Sequence, residues 1–520
     1  MLKYDQVVGY VQELVARGVV KQGDRLPSIR RLAKQLELSP ITVQHGYDLL
    51  QSQGVIKARS RSGYFVSQAG IPSGEQPRRP AEMPRSVSVA DLTYAILSQW
   101  HRQSLDGFGG INPHPSLIDP TGASRLLRQS LRVSEVHRHI YHPPEGRLAL
   151  REGIARHLAT RGLVVRPDQI VLTNLGLQGF ELCLDVLTEP GDTVLLDTPT
   201  YLPLLMALQR KGLRVLEVFS HPVHGIDPDQ LAYLLNNHRV RAAVLSPINH
   251  FPTGTTSSKE TMQRIARVLE VHNTPAIEFD AFSDLTYRGS APAPLMAYGD
   301  SDQITLFGSF LHVLGPDFGL GWVVTRNRSE AMIAAKFRNN LTLGDSALQR
   351  ALADYMAAGR YERELRHLRR RLATAVESGA KLLQQVLSRP FSFSMPAGGY
   401  MCWVRGGHGF DAAHVAHSGL KRGIVLAPGP MFSPSEGFHN FFGVNLSAPW
   451  GQYPANQLAR MSELLTSDRR PARSRCGSRR QALPQVLALP RLSLPAKSAP
   501  PPTRPEPTPG RAQSGDRATT

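Results

Sequence analysis

The 520-residue sequence predicts a multi-domain chain: a small helical head with a two-stranded wing, a large α/β domain, and a smaller α+β part. Three observations predict it. The length exceeds what one hydrophobic core spans, and an apolar content of 41% supplies several. Between residues 170 and 324, short apolar runs alternate with helical periodicity, the pattern of a mostly parallel sheet covered on both faces. The first 67 residues instead show helical periodicity closed by two short β-branched and aromatic runs.

In the head, Tyr4, Val7, Val8, Val11, Leu14 and Val15 recur at helical spacing, and Gly18 and Gly23-Asp24 end that helix. Ser28 caps a second helix that turns Ile29, Leu32, Ala33 and Leu36 inward. Leu38 closes a short turn. Ser39 caps a third helix with Pro40 at its first position, where the missing N–H costs nothing. There Val43, Tyr47 and Leu50 face the core, and Thr42, Gln44 and His45 face out. Val55–Arg59 and Tyr64–Val66 read as strands around residues 60–63. Three helices and a basic wing make a winged helix-turn-helix, and residues 1–67 carry ten Lys or Arg against five acids. A helical dimerisation module with a solvated basic side is the alternative.

The head resembles the DNA-binding domain of the GntR family. The matching residues are Gly23-Asp24-Arg25-Leu26-Pro27-Ser28-Ile29-Arg30-Arg31-Leu32-Ala33, Ser39-x-x-Thr42-Val43, Tyr47-x-x-Leu50, Gly54 and Gly63-Tyr64-Phe65-Val66. The resemblance implies that the third helix enters the major groove of a double-stranded operator, with Thr42, Gln44 and His45 near base edges. Arg30, Arg59 and Arg61 would hold phosphates or reach the minor groove, and Ser39 and Gly63 complete the expected DNA-binding set. Pro40 stands where the family often carries a basic residue.

Domain boundaries are expected at residues 1–68 for the head, 69–88 for a flexible Pro/Gly/Ser/Arg-rich linker, 89–466 for the large region and 467–520 for a disordered basic tail. Candidate strands are Ile170–Thr173, Thr193–Leu196, Val215–Phe219, Ala242–Leu245, Ala276–Phe279, Ile304–Phe307 and Trp322–Val324. Residues 345–388 read as a helical connection, and residues 391–465 as the α+β part. The formal charge of +18 favours a polyanionic partner, although the stretch from Arg469 onward holds half of it. Cys183, Cys402 and Cys476 have no metal spacing and cannot all pair, which points to a reducing cytoplasm. No apolar run follows the N-terminus and none reaches about 18 residues, so neither a signal peptide nor a membrane span is expected.

One stretch organises the large region. Gly308-Ser309-Phe310-Leu311-His312-Val313-Leu314-Gly315-Pro316-Asp317-Phe318-Gly319-Leu320-Gly321-Trp322 joins two buried apolar runs. With Tyr141-x-x-x-Glu145-Gly146, Pro199-Thr200-Tyr201, Phe251-Pro252-Thr253-Gly254, Gly398-Gly399-Tyr400, Ala427-Pro428-Gly429 and Asn445, it resembles fold-type I aminotransferases. A winged helix before such a domain resembles the MocR-type regulators within the GntR family.

That resemblance implies pyridoxal phosphate (PLP) as the family cofactor. A lysine amine forms the imine, a carboxylate pairs with the pyridinium, and an Arg and a helix N-terminus hold the phosphate. The matching positions here are His312 for the lysine, Phe279 for the carboxylate with Asp280 next to it, and Gly319 for the phosphate Arg. Gly443 stands for the substrate-clamping Arg, and Leu175 for the helix-opening Gly. Tyr201 remains to stack on a ring and Ser309 to bond a phosphate. His312 then either fills a vestigial pocket or, with Asp317 or Asp280, shapes a site for another ligand. The expectation is a cytoplasmic, homodimeric, DNA-binding regulator with an unidentified small-molecule effector and no transaminase activity. A PLP-dependent transferase with an appended DNA-binding domain is the alternative; a scaffold that only dimerises is a third reading.

Overall fold

A computed structural model describes residues 3–16, 20, 23–52, 56–59, 63–66, 85–86, 108–119, 121–132, 143–299, 302–339, 346–387, 390–393, 395–407, 409–435, 437–452 and 455–467. The expected linker, apart from residues 85–86, and the expected tail beyond Ser467 lie outside them.

The head is α1 (Lys3–Ala16), α2 (Ile29–Leu36), α3 (Pro40–Ser52), β1 (Ile56–Arg59) and β2 (Gly63–Val66). Its core joins Val7, Val8 and Val11 to Leu32, Val43, Tyr47, Leu50, Ile56 and Val66. Both expected caps are present. The Ser28 hydroxyl accepts from Arg31 N at 3.3 Å, and the Ser39 hydroxyl accepts from Thr42 N at 3.1 Å. Glu37 ends α2 in the left-handed region at φ 54°, and Leu38 N reaches back to Ala33 O. The wing is not freestanding: Leu26 N donates to Tyr64 O and Val66 N to Asp24 O, so residues 24–26 back β2. Gly46 lets α1 and α3 meet, because a Cβ there would lie 2.5 Å from Val7 Cγ1.

The large sheet has the order β3-β6-β5-β8-β9-β10-β11-β4, with β7 (Gly225–Ile226) paired to β6. Its strands are β3 (Arg85–Ser86), β4 (Ile170–Thr173), β5 (Thr193–Thr198), β6 (Arg214–His221), β8 (Ala242–Leu245), β9 (Ala276–Phe279), β10 (Ile304–Ser309) and β11 (Gly321–Val324). Every residue of β4, β8, β9, β10 and β11 is buried, which is why they read as unbroken apolar runs.

The sheet is mixed, but six of the seven expected strands run the same way and only β11 is reversed among them. Strands β6, β5, β8, β9 and β10 run parallel, but β11 is antiparallel to both β10 and β4, and β3 is antiparallel to β6. The link from β10 to β11 is too short for a covering crossover helix, so the chain turns back.

The expected helical connection is two helices, Ser346–Ala357 and Arg360–Val386, parted by Gly359 at φ 65°. A second sheet, β12-β13-β15-β14, uses Ser392–Phe393, Met401–Arg405, Phe441–Asn445 and Ala427–Pro428. Asn445 ties it to the segment between β3 and β4, donating to Gly110 O and Asn112 O at 2.8 and 2.7 Å.

Overpacking the contact between α1 and α3 tests the head. Gly46→Val should destabilise it by about 1–3 kcal/mol. Differential scanning calorimetry of the full chain should show an earlier first transition and an unchanged later one.

Candidate functional site

The C-terminal ends of β9 and β10 lie side by side, with Phe279 opposite Phe307 in parallel register. In doubly wound sheets this is where ligands bind. Here the space is lined by rings. Tyr201 stacks on Phe279 with centroids 5.5 Å apart and meets Phe251, Phe282 and His312 edge-on. Phe279 stacks on Phe307 at 4.9 Å, and Phe282 lies 4.5 Å from His312.

Strand alternation fixes what β9 presents. Phe279 joins the ring cluster, and its neighbours serve elsewhere. Glu278 accepts from Leu295 N at 2.6 Å and Met296 N at 2.9 Å; burial and the adjacent Asp280 push its pKa up to about 8. Asp280 takes a two-point contact from Arg161, at 2.6 and 3.0 Å.

A few residues on, Asp284 accepts from His157 Nε2 at 3.0 Å and Tyr361 Oη at 3.0 Å. Burial alone would lower the His157 pKa, but Asp284 and then Glu362, 2.7 Å from Nδ1, raise it to about 9. Sequence reasoning missed Arg161, His157 and Asp284. Their signal is two basic residues four apart at the end of one helix, and it does not say which acids they meet.

His312 is 3% exposed, and burial pushes its pKa down to about 3, so it is a neutral imidazole. Its Nδ1 lies 3.3 Å from Tyr400 Oη, whose single proton goes to Ile111 O at 2.9 Å. The contact therefore needs the Nδ1–H tautomer of His312. A site built from His312 with Asp280 does not form, since Asp280 is held by Arg161; the ring and hydrogen-bond partners of His312 are Tyr400, Tyr201 and Phe282, not Asp317.

Ser309 is committed locally: its hydroxyl donates to Gly319 O at 2.9 Å and accepts from Leu311 N at 3.1 Å. At Gly319 a Cβ would lie 3.1 Å from both Leu175 Cδ2 and Pro316 O. At Gly443 one would lie 2.6 Å from Met401 Cε.

The expected DNA-binding residues divide. Arg30 is exposed on α2, and Gly63 is exposed at φ 96° beside the Arg25 guanidinium. Arg61 and the side chain of Arg59 lie outside the described residues. Ser39 bonds Thr42 Oγ1 at 2.8 Å.

Thr42, Gln44 and His45 leave the head's own core as expected, but Thr42 and His45 do not face solvent. Thr42 is 1% and His45 6% exposed, covered by residues 221–229 of the large region. Gln44 is half-buried and donates to Asp48 and Tyr64. Helical spacing identified the face, and a surface distant in sequence covers it.

Two family models match the chain: aminotransferase class I and II over residues 121–437, and bacterial regulatory proteins of the gntR family over residues 3–66. The uncharacterized HTH-type transcriptional regulator YdcR of Escherichia coli K12 is 31% identical over 465 residues, covering 89% of this chain and 99% of its own. The probable rhizopine catabolism regulatory protein MocR of Rhizobium meliloti is 25% identical, covering 68% of this chain and 72% of its own. Among solved structures, the α-aminoadipate aminotransferase LysN of Thermus thermophilus, complexed with N-(5'-phosphopyridoxyl)-L-leucine, superposes with a TM-score of 0.65. It is 22% identical and covers 73% of this chain and 95% of its own.

A winged helix-turn-helix ahead of a class I and II aminotransferase fold defines a transcriptional regulator built on an enzyme frame. The chain belongs to the GntR family of bacterial regulatory proteins, among its MocR-type members.

Two measurements probe the charge pairs beneath the rings. Asp280→Ala leaves the Arg161 guanidinium buried and unpaired, and should cost about 3–5 kcal/mol in denaturant unfolding, whereas Asp280→Leu with Arg161→Met should recover most of it. For His157 the folded pKa of about 9 lies above the ordinary 6.5. Its contribution is therefore complete below pH 6.5 and lost as pH rises through about 9. Unfolding free energy measured from pH 6 to 10 should carry that decline, and His157→Gln should flatten it.

Proposed function

We propose that the chain is a cytoplasmic DNA-binding transcription regulator whose aminotransferase-like domain dimerises and responds to a small-molecule effector, without catalysing transamination. The single observation that carries this reading is the occupancy of the β9 and β10 ends by the chain's own rings, above all Phe279 against Tyr201.

The residues there do not fit covalently held PLP. Imidazole is not a primary amine, so His312 cannot condense with an aldehyde. Phe279 offers no charge to a pyridinium, and Asp280 is turned away to Arg161. The Ser309 hydroxyl is engaged by its own loop, and the direction from Gly319 is closed by Leu175 and Pro316. An anion would lack the charge-assisted contacts that the family's arginine supplies. Among the described residues there is also no cluster of His, Cys, Asp and Glu able to hold a metal, and no helix long and apolar enough to cross a membrane.

The head supplies the other half. A capped α3 and an exposed Arg30 support groove reading by Ser39, Thr42, Gln44 and His45, with backbone contacts from Arg30, Arg59, Arg61 and the wing turn at Gly63. A two-fold dimer would place two such heads on repeated half-sites.

The purified chain should bind the duplex upstream of its own gene with an affinity that falls as salt rises, and Arg30→Ala should lower the log–log salt slope by about 1. Fluorescence anisotropy across a salt series checks this; sequence-blind binding of equal strength would refute an operator-reading role. Added PLP should give no imine absorbance band with either the native chain or, because Phe279 still fills the site, His312→Lys alone. A band with the native chain would restore the enzyme reading.

A further inference from the structure

We propose that the DNA-reading face of α3 has a second, competing partner within the same chain. That partner is the surface of residues 221–229, at the end of β6 and the start of helix Pro228–Asn237, together with Arg264. In the docked form the head cannot read DNA, an inference that rests on the reading of α3 given above.

The contacts are specific. Ile41, Gln44, His45 and Asp48 follow the i, i+3, i+4, i+7 spacing of one helix face, opposite the face that carries Val43, Tyr47 and Leu50 into the head's core. His45 stacks on His224 with centroids 4.8 Å apart and on His221 at 5.6 Å; His221 and His224 stack at 5.0 Å. Asp48 is hydrogen-bonded to His224 Nε2, and Asp227 lies 3.9 Å from His45. Thr42 Oγ1 donates to Asp229 Oδ2 at 3.4 Å, while Arg264 holds the other oxygen of Asp229 at 2.7 Å.

Two features make this a substitute for DNA rather than incidental packing. First, Asp229 brings a carboxylate to the first turn of α3, where the helix dipole favours an anion and the Thr42 hydroxyl donates to it; a DNA phosphate would use the same position. Second, Thr42 and His45 are polar, nearly fully buried and partnered. Burial of unpartnered polar groups would be costly, so the surface complements this face chemically as well as covering it. A helix covered this way cannot enter a major groove about 12 Å wide, so docking and base reading exclude each other. The fraction of undocked heads then sets the apparent affinity for DNA.

The test uses the full chain carrying His224→Asp with Asp229→Asn, a pair that leaves formal charge unchanged with His neutral. Both positions lie outside α3. The first change places a carboxylate against Asp48; the second removes the anion at the α3 N-terminus. His224→Asp alone is the second variant, and it must act against a one-unit loss of positive charge.

Amide exchange is followed at residues 40–48 and 221–229 without DNA. Anisotropy is measured with two fluorescein-labelled 40-base-pair duplexes at one salt concentration, one from upstream of the chain's own gene and one of mixed sequence. Docking predicts faster exchange in both segments and gene-upstream binding tighter by about threefold or more, as the competition-competent fraction rises. Unchanged exchange overturns the docking contact. Faster exchange with unchanged or weaker binding overturns the competition. Binding by neither the native chain nor the variants, with exchange still accelerated, leaves docking in place and removes the DNA-reading role of α3, and the competition with it.

Discussion

The buried pair between Arg161 and Asp280 decides which side chain of β9 meets the ring cluster. Successive residues on a strand point to opposite faces, so a guanidinium that grips Asp280 commits Phe279 to the other side. His157, four residues before Arg161 and one helical turn away, holds Asp284 in the same manner. One helix end thus fixes two points of the chain leaving β9. Such pairs stabilise little relative to apolar residues of the same volume, but losing one partner is costly. Their effect here is on register: a slip of one residue would strand a buried charge.

With the register fixed, the pocket follows. Phe279, Tyr201, Phe282 and Phe307 interlock in stacked and edge-on contacts, each contributing beyond the apolar area it buries. His312 enters this apolar surround as the neutral species because ionising it there would cost its hydration. The loop from Ser309 to Leu320 closes on itself through the Ser309 hydroxyl, so its shape does not require an anion.

Much of this was legible in the sequence. Strands such as Ala242–Leu245 and Ala276–Phe279 emerge with the expected bounds because a strand buried on both faces is a plain apolar run. Strand direction was not legible: an apolar run has no polarity, so the antiparallel β11 appears only once the short return from β10 is seen. The capped starts of α2 and α3 were legible because capping is local chemistry between residues three apart. The exposure of Thr42 and His45 was not, since helical period separates the head's core face from its opposite but carries no information about residues some 180 positions later. Ser309 was misjudged for a related reason: a free hydroxyl in a glycine-rich loop suits a phosphate, and only the fold brings Gly319 O within its reach.

These constraints separate two uses of one frame. The ends of β9 and β10, where an aminotransferase fold holds its cofactor, are rigid, filled and electrically quiet: neutral His312, a phenylalanine and a tyrosine. A cluster of ionisable groups gathers elsewhere, where His45, His221 and His224 stack between Asp48 and Asp227. Burial lowers the His45 pKa to about 4 and the His221 pKa to about 3, with the neighbouring histidines adding to the shift, while it raises Asp227 to about 6. His45 and His221 are held neutral while docked and regain their affinity for protons once that burial is relieved. That couples the position of the head to charge, with Asp48 and Asp229 opposing the shift at His45 and Arg264 reinforcing it. A close-packed frame of this kind can serve a second use, because the packing that sets the ends of β9 and β10 also presents a fixed surface to the head.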